Sequence, residues 1–264
     1  DELIFSSTLR RFSFADTRML NSFTDFEDWK ERRSFYMKSF VEPGNTLPVY
    51  DELRNREYVD IQEERPYHFR YELEDHSGNR LTYRFTVNGQ RQNIIARPLC
   101  DNWMAWNLHN TVMEPGFTLQ VPRRNLYSDL CFVHDVRESD KHFSHVHQVH
   151  NQPVPLHSNA EMWIGMHTDT LQNKENYGIV RINSNGTESW IGGTYARGGI
   201  AASIRELGDR YAVTADEVPP SITPIEQGNW ASQRRIRIRL RDNLSGISSF
   251  RGEINGEFVL FTHD

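Results

Sequence analysis

The sequence predicts an all-β protein of tandem immunoglobulin-like β-sandwich domains, the first and last incomplete, with one short helical insertion in the first. Three observations predict it. Apolar and polar residues alternate over residues 67–74 and 235–241, the period of a strand with one face in water. Tight-turn residues stand at Gly78-Asn79, Asn183-Ser-Asn-Gly186 and Asn255-Gly256, between strand-like runs. No long helix and no sequence repeat is evident.

Taken in order, residues 3–14 read as a strand and its continuation. Asp16-Thr17 opens a helical excursion over residues 17–32, where Met19, Leu20, Phe23, Phe26 and Trp29 recur at spacings of three and four. That aromatic stripe is core packing. Pro43-Gly44-Asn45 ends the segment. Next comes a hairpin: Tyr67, Phe69, Tyr71 and Leu73 alternate with His68, Arg70, Glu72 and Glu74, and residues 81–87 return as the partner strand. A boundary near residue 92 closes a first unit, residues 1–92, whose earlier strands are expected upstream of Asp1.

The central unit, residues 93–216, is a β-sandwich. Strand-like runs fall at residues 117–121, 130–136, 161–167 and 177–182, with a hairpin turn at Asn183–Gly186 before Ser189-Trp190-Ile191. Tyr195-Ala-Arg-Gly-Gly199 reads as a hairpin tip, and two further runs, residues 200–207 and 211–214, flank Gly208-Asp209. Pro219-Pro220 cannot continue a strand ladder and marks the next boundary. Residues 217–264 then hold about half the strands of a sandwich. The chain reads as a piece of something longer.

Composition excludes several classes. The net charge is −6 over 264 residues with both signs interspersed, unlike the basic stripe of a nucleic-acid binder. The arginines of residues 234–241 fall at alternate positions, the solvent face of one strand. Mean hydropathy is −0.68, and no apolar run approaches the roughly 20 residues that span a bilayer. Cys100 and Cys131 form no Cys-x-x-Cys pair, which removes zinc-ribbon and thioredoxin readings and leaves a disulfide open.

Chemistry is sparse. Four of the 11 histidines crowd into residues 142–150: His142, His145, His147 and His150. On a strand, His145 and His147 face one way and could meet one metal. A zinc hydrolase needs a further ligand and an open water position, and no His-Glu-x-x-His is present. The plainer reading is a histidine-rich polar face. Gly192-Gly193 and Gly198-Gly199 are turns, since no helix follows to cradle a phosphate. Trp103 and Trp106 read as packing in preference to a sugar-stacking platform.

Several stretches together resemble one family. They are Phe12-Ser-Phe-Ala-Asp-Thr-Arg18 through Asn21-Ser-Phe23, Ser34-Phe-Tyr-Met-Lys-Ser-Phe-Val-Glu-Pro-Gly-Asn45, Pro153-Val-Pro-Leu-His157 and Glu161-Met-Trp-Ile164. Tyr177-Gly-Ile-Val-Arg-Ile182, Glu188-Ser-Trp-Ile-Gly-Gly-Thr-Tyr195, Ala202-Ser-Ile-Arg-Glu-Leu-Gly208 and Arg251-Gly-Glu-Ile-Asn-Gly256 continue the likeness. Across nearly its whole length the chain resembles the non-catalytic carboxy-terminal region of large Gram-negative envelope zinc metallopeptidases of the lysostaphin type. The resemblance implies a parent protein that cuts peptidoglycan cross-links with a zinc-dependent domain amino-terminal to this region. The family's His-x-x-x-Asp motif is absent here, and His145-Val-His147 falls where the resemblance assigns no ligand. No catalytic, cofactor-binding or metal residue is therefore assigned, and no cofactor is expected in this chain, zinc belonging to the parent's peptidase domain.

The expected function is an accessory region for spacing, docking or regulation, in the periplasm or at the cell surface. Its expected partners are its own peptidase domain and cell-wall peptidoglycan, with no nucleic acid and no membrane span. The alternative is a stand-alone metal-binding or hydrolytic protein built on the histidines between His142 and His150.

Overall fold

A computed structural model describes residues 2–9, 11–55, 58–92 and 100–262. It is all-β, as the alternation predicts. Among the described residues the strands form one eight-stranded sheet and five two-stranded pairs. No helix among them is long and apolar enough to cross a membrane.

In the amino-terminal part, β1 (Phe5–Ser7) pairs with β2 (Tyr50–Leu53). The helical excursion lies between them, but in pieces: a 3-10 turn over Phe14–Met19, then α1 (Leu20–Phe23) and α2 (Phe26–Arg32). Local polar chemistry breaks it. The Thr24 hydroxyl turns back to the Leu20 carbonyl (3.0 Å), and Asp25 caps α2 by accepting from the Asp28 N–H (3.1 Å). The break divides the aromatic stripe. Met19, Leu20 and Phe23 pack with Leu47 and Val49, whereas Trp29 is exposed beneath the Arg33 guanidinium.

The predicted hairpin is β3 (Pro66–Glu74) and β4 (Arg80–Asn88), in unbroken register. Asp75 shapes its turn by accepting the N–H groups of Ser77 and Asn79, both at 2.9 Å. Tyr67, Phe69, Tyr71 and Leu73 lie opposite Val87, Phe85, Tyr83 and Leu81. One face of this two-stranded sheet is thus aromatic and aliphatic, its only side-chain polar atoms being the hydroxyls of Tyr67, Tyr71 and Tyr83. The boundary expected near residue 92 abuts residues 93–99, which lie outside the described residues.

The central body contains β5 (Trp103–Met104), β6 (Asn110–Glu114), β7 (Phe117–Val121), β8 (Leu130–Cys131) and β9 (His134–Arg137). It continues with β10 (Val146–Gly165), β11 (Tyr177–Ile182), β12 (Glu188–Gly192), β13 (Thr194–Ala196) and β14 (Gly199–Ala215). The sheet runs β12-β11-β14-β10-β7-β6, with β13 on β14 and β9 on β10; β5 pairs separately with β8. The long strands β10 and β14 are bulged, and each serves both ends of the sheet. Val149, Tyr211 and Val213 from one end therefore share a core with Phe117, Ile164 and Ile200 from the other.

Two details differ from the sequence reading. Gly208-Asp209 does not separate two strands, because β14 runs through it. Gly208 sits at φ +106°, and a Cβ there would stand 2.5 Å from the Gln152 carbonyl oxygen, so glycine serves a bulge pressed against β10. The run at residues 130–136 splits into β8 and β9, because Phe132 turns into the core and its N–H bonds to the Asn102 carbonyl at 2.9 Å. Cys131, just before it, is disulfide-bonded to Cys100, with Cα atoms 5.7 Å apart.

Turn chemistry is otherwise as read. Arg197 and Gly198 join β13 to β14 at φ 52° and 72°. A Cβ at Gly198 would meet no atom within 4 Å, so Gly198→Ala isolates backbone strain. A loss of about 1 kcal/mol is expected, read as a lower urea midpoint with unchanged m-value.

The amino-terminal segment is fastened to the sheet. Tyr127 Oη donates to the Arg18 carbonyl (2.9 Å), Arg18 Nη1 donates to the His157 carbonyl (3.2 Å), and the Gly44 N–H bonds to the Tyr127 carbonyl (2.7 Å). Lys30 of α2 bridges Glu206 (3.2 Å) and Asp209 (2.9 Å) on β14.

Beyond Pro220 come β15 (Ser221–Ile225), α3 (Trp230–Gln233), β16 (Arg237–Arg241), β17 (Gly252–Ile254) and β18 (Glu257–Val259). β15 pairs with β16 and β17 with β18, as two separate ribbons. Arg237, Arg239 and Arg241 form the exposed face of β16. Asn255 (φ 54°) and Gly256 (φ 84°) make the β17–β18 turn.

Candidate functional site

The structure separates the histidines that the sequence crowds together. His145 precedes β10 and is exposed, its ring near that of exposed His167 (centroids 5.3 Å apart). His147 lies within β10 and is buried, between Val136 of β9 and Tyr211 of β14. The two rings of His145-Val-His147 thus point to different environments, because the strand begins between them. His150 turns away again at φ 73°, and its Nδ1 accepts from the Val133 N–H at 3.3 Å.

His147 instead meets a histidine from the neighbouring strand. His134 on β9 has a side chain with no exposure; its Nε2 is 3.1 Å from His147 Nδ1 and its Nδ1 is 2.6 Å from Glu114 Oε2. With the Glu114 oxygen as acceptor, the consistent order is His147 Nδ1–H to His134 Nε2, and His134 Nδ1–H to Glu114 Oε2. The imidazoles lie parallel, with the Phe117 ring 4.1 Å from His134 and 5.2 Å from His147 by centroid. Burial, then repulsion from His134 and His145, pushes the His147 pKa down to about 4. Burial lowers His150 in the same direction. The assembly is a hydrogen-bonded chain of two imidazoles and one carboxyl group.

His142 belongs to a different group. Its Nδ1 is 2.7 Å from Ser139 Oγ and its Nε2 is 3.1 Å from Glu188 Oε1, which Lys141 also contacts. Burial would raise the Glu188 pKa, but hydrogen bonds from Lys141 and His142 outweigh it and hold the carboxyl below its ordinary value. Hydroxyl, imidazole and carboxylate stand here in the order of a nucleophilic triad. Neighbouring contacts are those of a pinned loop: the Phe143 carbonyl accepts the His167 N–H (3.0 Å), and Ser144 Oγ accepts the Val213 N–H (2.8 Å). These bonds fasten the segment before β10 across the sheet.

Among the described residues, no three His, Cys, Asp or Glu side chains are placed to hold a metal ion. Among the described residues, His145 and His147 do not form a shared ligand pair, since the ring of His145 is exposed and that of His147 is engaged by His134. Trp106 packs against the main core, while Trp103 is exposed. Sequence reading missed Glu114 and Glu188. Each lies far along the chain from its histidine and carries no local signal.

A family model described as a Zu5-like domain matches residues 101–216, less than half of the chain and the span of the eight-stranded sheet. No curated protein and no solved structure matches the chain. Over residues 101–216, therefore, the chain is similar to Zu5-like domains.

Proposed function

We propose that this chain is a non-catalytic accessory region of an envelope zinc metallopeptidase, which docks on and positions the peptidase domain of the full-length protein and contacts peptidoglycan. The observation that carries the reading is the apolar face of the β3–β4 hairpin. Eight aromatic or aliphatic side chains line it, three of them tyrosines, and at its distal end Leu81 and Tyr83 are 62% and 63% exposed. A two-stranded ribbon is marginal by itself in water, and an apolar patch of this kind marks a surface built to be covered. The opposite face carries His68, Arg70, Glu72, Arg80, Thr82 and Arg84, so the hairpin distinguishes a wet side from a docking side.

The carboxy-terminal ribbons support the same reading, because Ile222 and Phe258 are exposed on short strand pairs and Leu260 is exposed just beyond β18. The family resemblance names the partner as a peptidase domain. The Cys100–Cys131 disulfide supports an oxidising compartment, the periplasm or cell surface.

The test is association of the purified chain with the parent's separately purified peptidase domain. Leu81→Asp with Tyr83→Asp is expected to weaken association by at least about tenfold, since two charges would need burial. Far-UV circular dichroism should stay unchanged, as both sites are exposed. Association of equal strength in the variant would contradict the reading.

A further inference from the structure

We propose that the cleft between the Phe14–Met19 turn and strands β10 and β14 is a binding site for a carboxylate-bearing saccharide or glycopeptide. The cleft has a volume of about 710 Å3, inside the range of roughly 300–1,000 Å3 typical of small-ligand sites. The chain carries a net charge of −6, yet two arginines and no carboxylate line this cleft. That local reversal of sign favours an anion.

The arginines are placed differently and serve differently. Arg18 is held in position: its carbonyl accepts from the buried Tyr127 hydroxyl (2.9 Å), and its Nη1 donates to the His157 carbonyl (3.2 Å). A guanidinium has five N–H donors, so this one is oriented with donors to spare. Arg205 stands on the exposed side of β14 and has no ion-pair partner among the described residues. Its neighbour Glu206 is engaged elsewhere, by Lys30 and Arg181. Two planar guanidiniums recognise a carboxylate through paired hydrogen bonds.

The remaining lining suits a sugar. The exposed Asn159 side chain brings an amide donor and acceptor for hydroxyl or acetamido groups. Phe14 is 92% exposed at the cleft, an aromatic face with nothing stacked on it among the described residues. An aromatic ring beside cations fits a ligand with one apolar ring face and one charged end. The choice of a glycopeptide over another carboxylate rests on the wall-contact reading above.

Calorimetric titration of the purified chain with a soluble disaccharide–peptide muropeptide tests this, beside a neutral N-acetylglucosamine oligomer and inorganic phosphate. Saturable muropeptide binding is expected, with the neutral oligomer at least about tenfold weaker. Arg205→Gln should weaken muropeptide binding by about tenfold, Arg205→Lys by less, and Phe14→Ala by several-fold. Both side chains are exposed, so the fold should survive. Unaltered affinity in Arg205→Gln and Phe14→Ala would overturn the cleft and leave wall contact standing. Phosphate binding as tight as the muropeptide would overturn the ligand class. No saturable muropeptide binding by the unmodified chain would overturn both the cleft and the wall-contact part of the reading, without touching the hairpin's docking role.

Discussion

Acidification from pH 6.5 to pH 4 is expected to remove about 3 kcal/mol of folding stability, with His147 as the main cause. The His147 pKa falls from 6.5 to about 4 on folding, first because burial penalises the charged ring and then because His134 and His145 repel it. Between those two values the unfolded chain binds a proton that the folded chain refuses. Stability is therefore complete above about pH 6.5, declines as pH falls, and has lost this contribution near pH 4. His150 is lowered too and adds to the same slope. Carboxylates held below their ordinary values, such as Glu188 (4.5) and Asp169 (3.8), begin to lose their contribution only as pH falls through those ordinary values. The window from about pH 6.5 to 4.5 thus reports the histidines. Urea unfolding at several pH values measures the slope. His147→Gln keeps an amide donor toward His134 but cannot take the proton. It should reduce the slope by more than half, and an unaltered slope would refute the assignment.

Reduction of the Cys100–Cys131 disulfide is expected to destabilise the chain by about 3–4 kcal/mol. The bond closes a loop of sequence separation 31, and opening it returns that loop's freedom to the unfolded state. Beside Cys131 in sequence, Phe132 is buried in the main core, and β5, which carries buried Met104, pairs with β8. Loosening this corner therefore reaches the packed interior. Urea midpoints with and without a phosphine reductant measure the effect, and a Cys100→Ser, Cys131→Ser double variant should lose the same amount without reductant. A difference below about 1 kcal/mol would mean that the loop is held by packing alone.

The parts of the fold legible in the sequence are those governed by local chemistry. Asp75, Gly78, Arg197-Gly198 and Asn255-Gly256 set turns by their own backbone preferences and side-chain oxygens, and all fall where expected. The alternation of Tyr67 to Leu73 gives the face of β3 directly. What was hidden depends on tertiary partners. Gly208 looks like a turn residue because a bulge and a turn make the same demand for positive φ; the approach of Gln152 decides between them. His145-Val-His147 looks like a shared face because the sequence does not reveal that β10 begins at Val146. Glu114, Glu188 and Arg205 reach their sites through strand order, which adjacent residues do not encode. The Asp25 cap that breaks the helix was legible in principle, since Asp followed by Phe26-Glu27-Asp28 is a helix start.

The docking role proposed for the β3–β4 hairpin requires that a partner domain cover residues 66–88. Amide hydrogen exchange over those residues tests it, comparing this chain alone with the chain mixed with the proposed peptidase domain. In the chain alone, exchange in β3 and β4 should be fast, because a lone ribbon opens easily. With the domain present the same amides should be protected by at least about tenfold, while those of β10 and β14 stay equally protected in both samples. Equal exchange of the hairpin in the two samples would contradict the docking role.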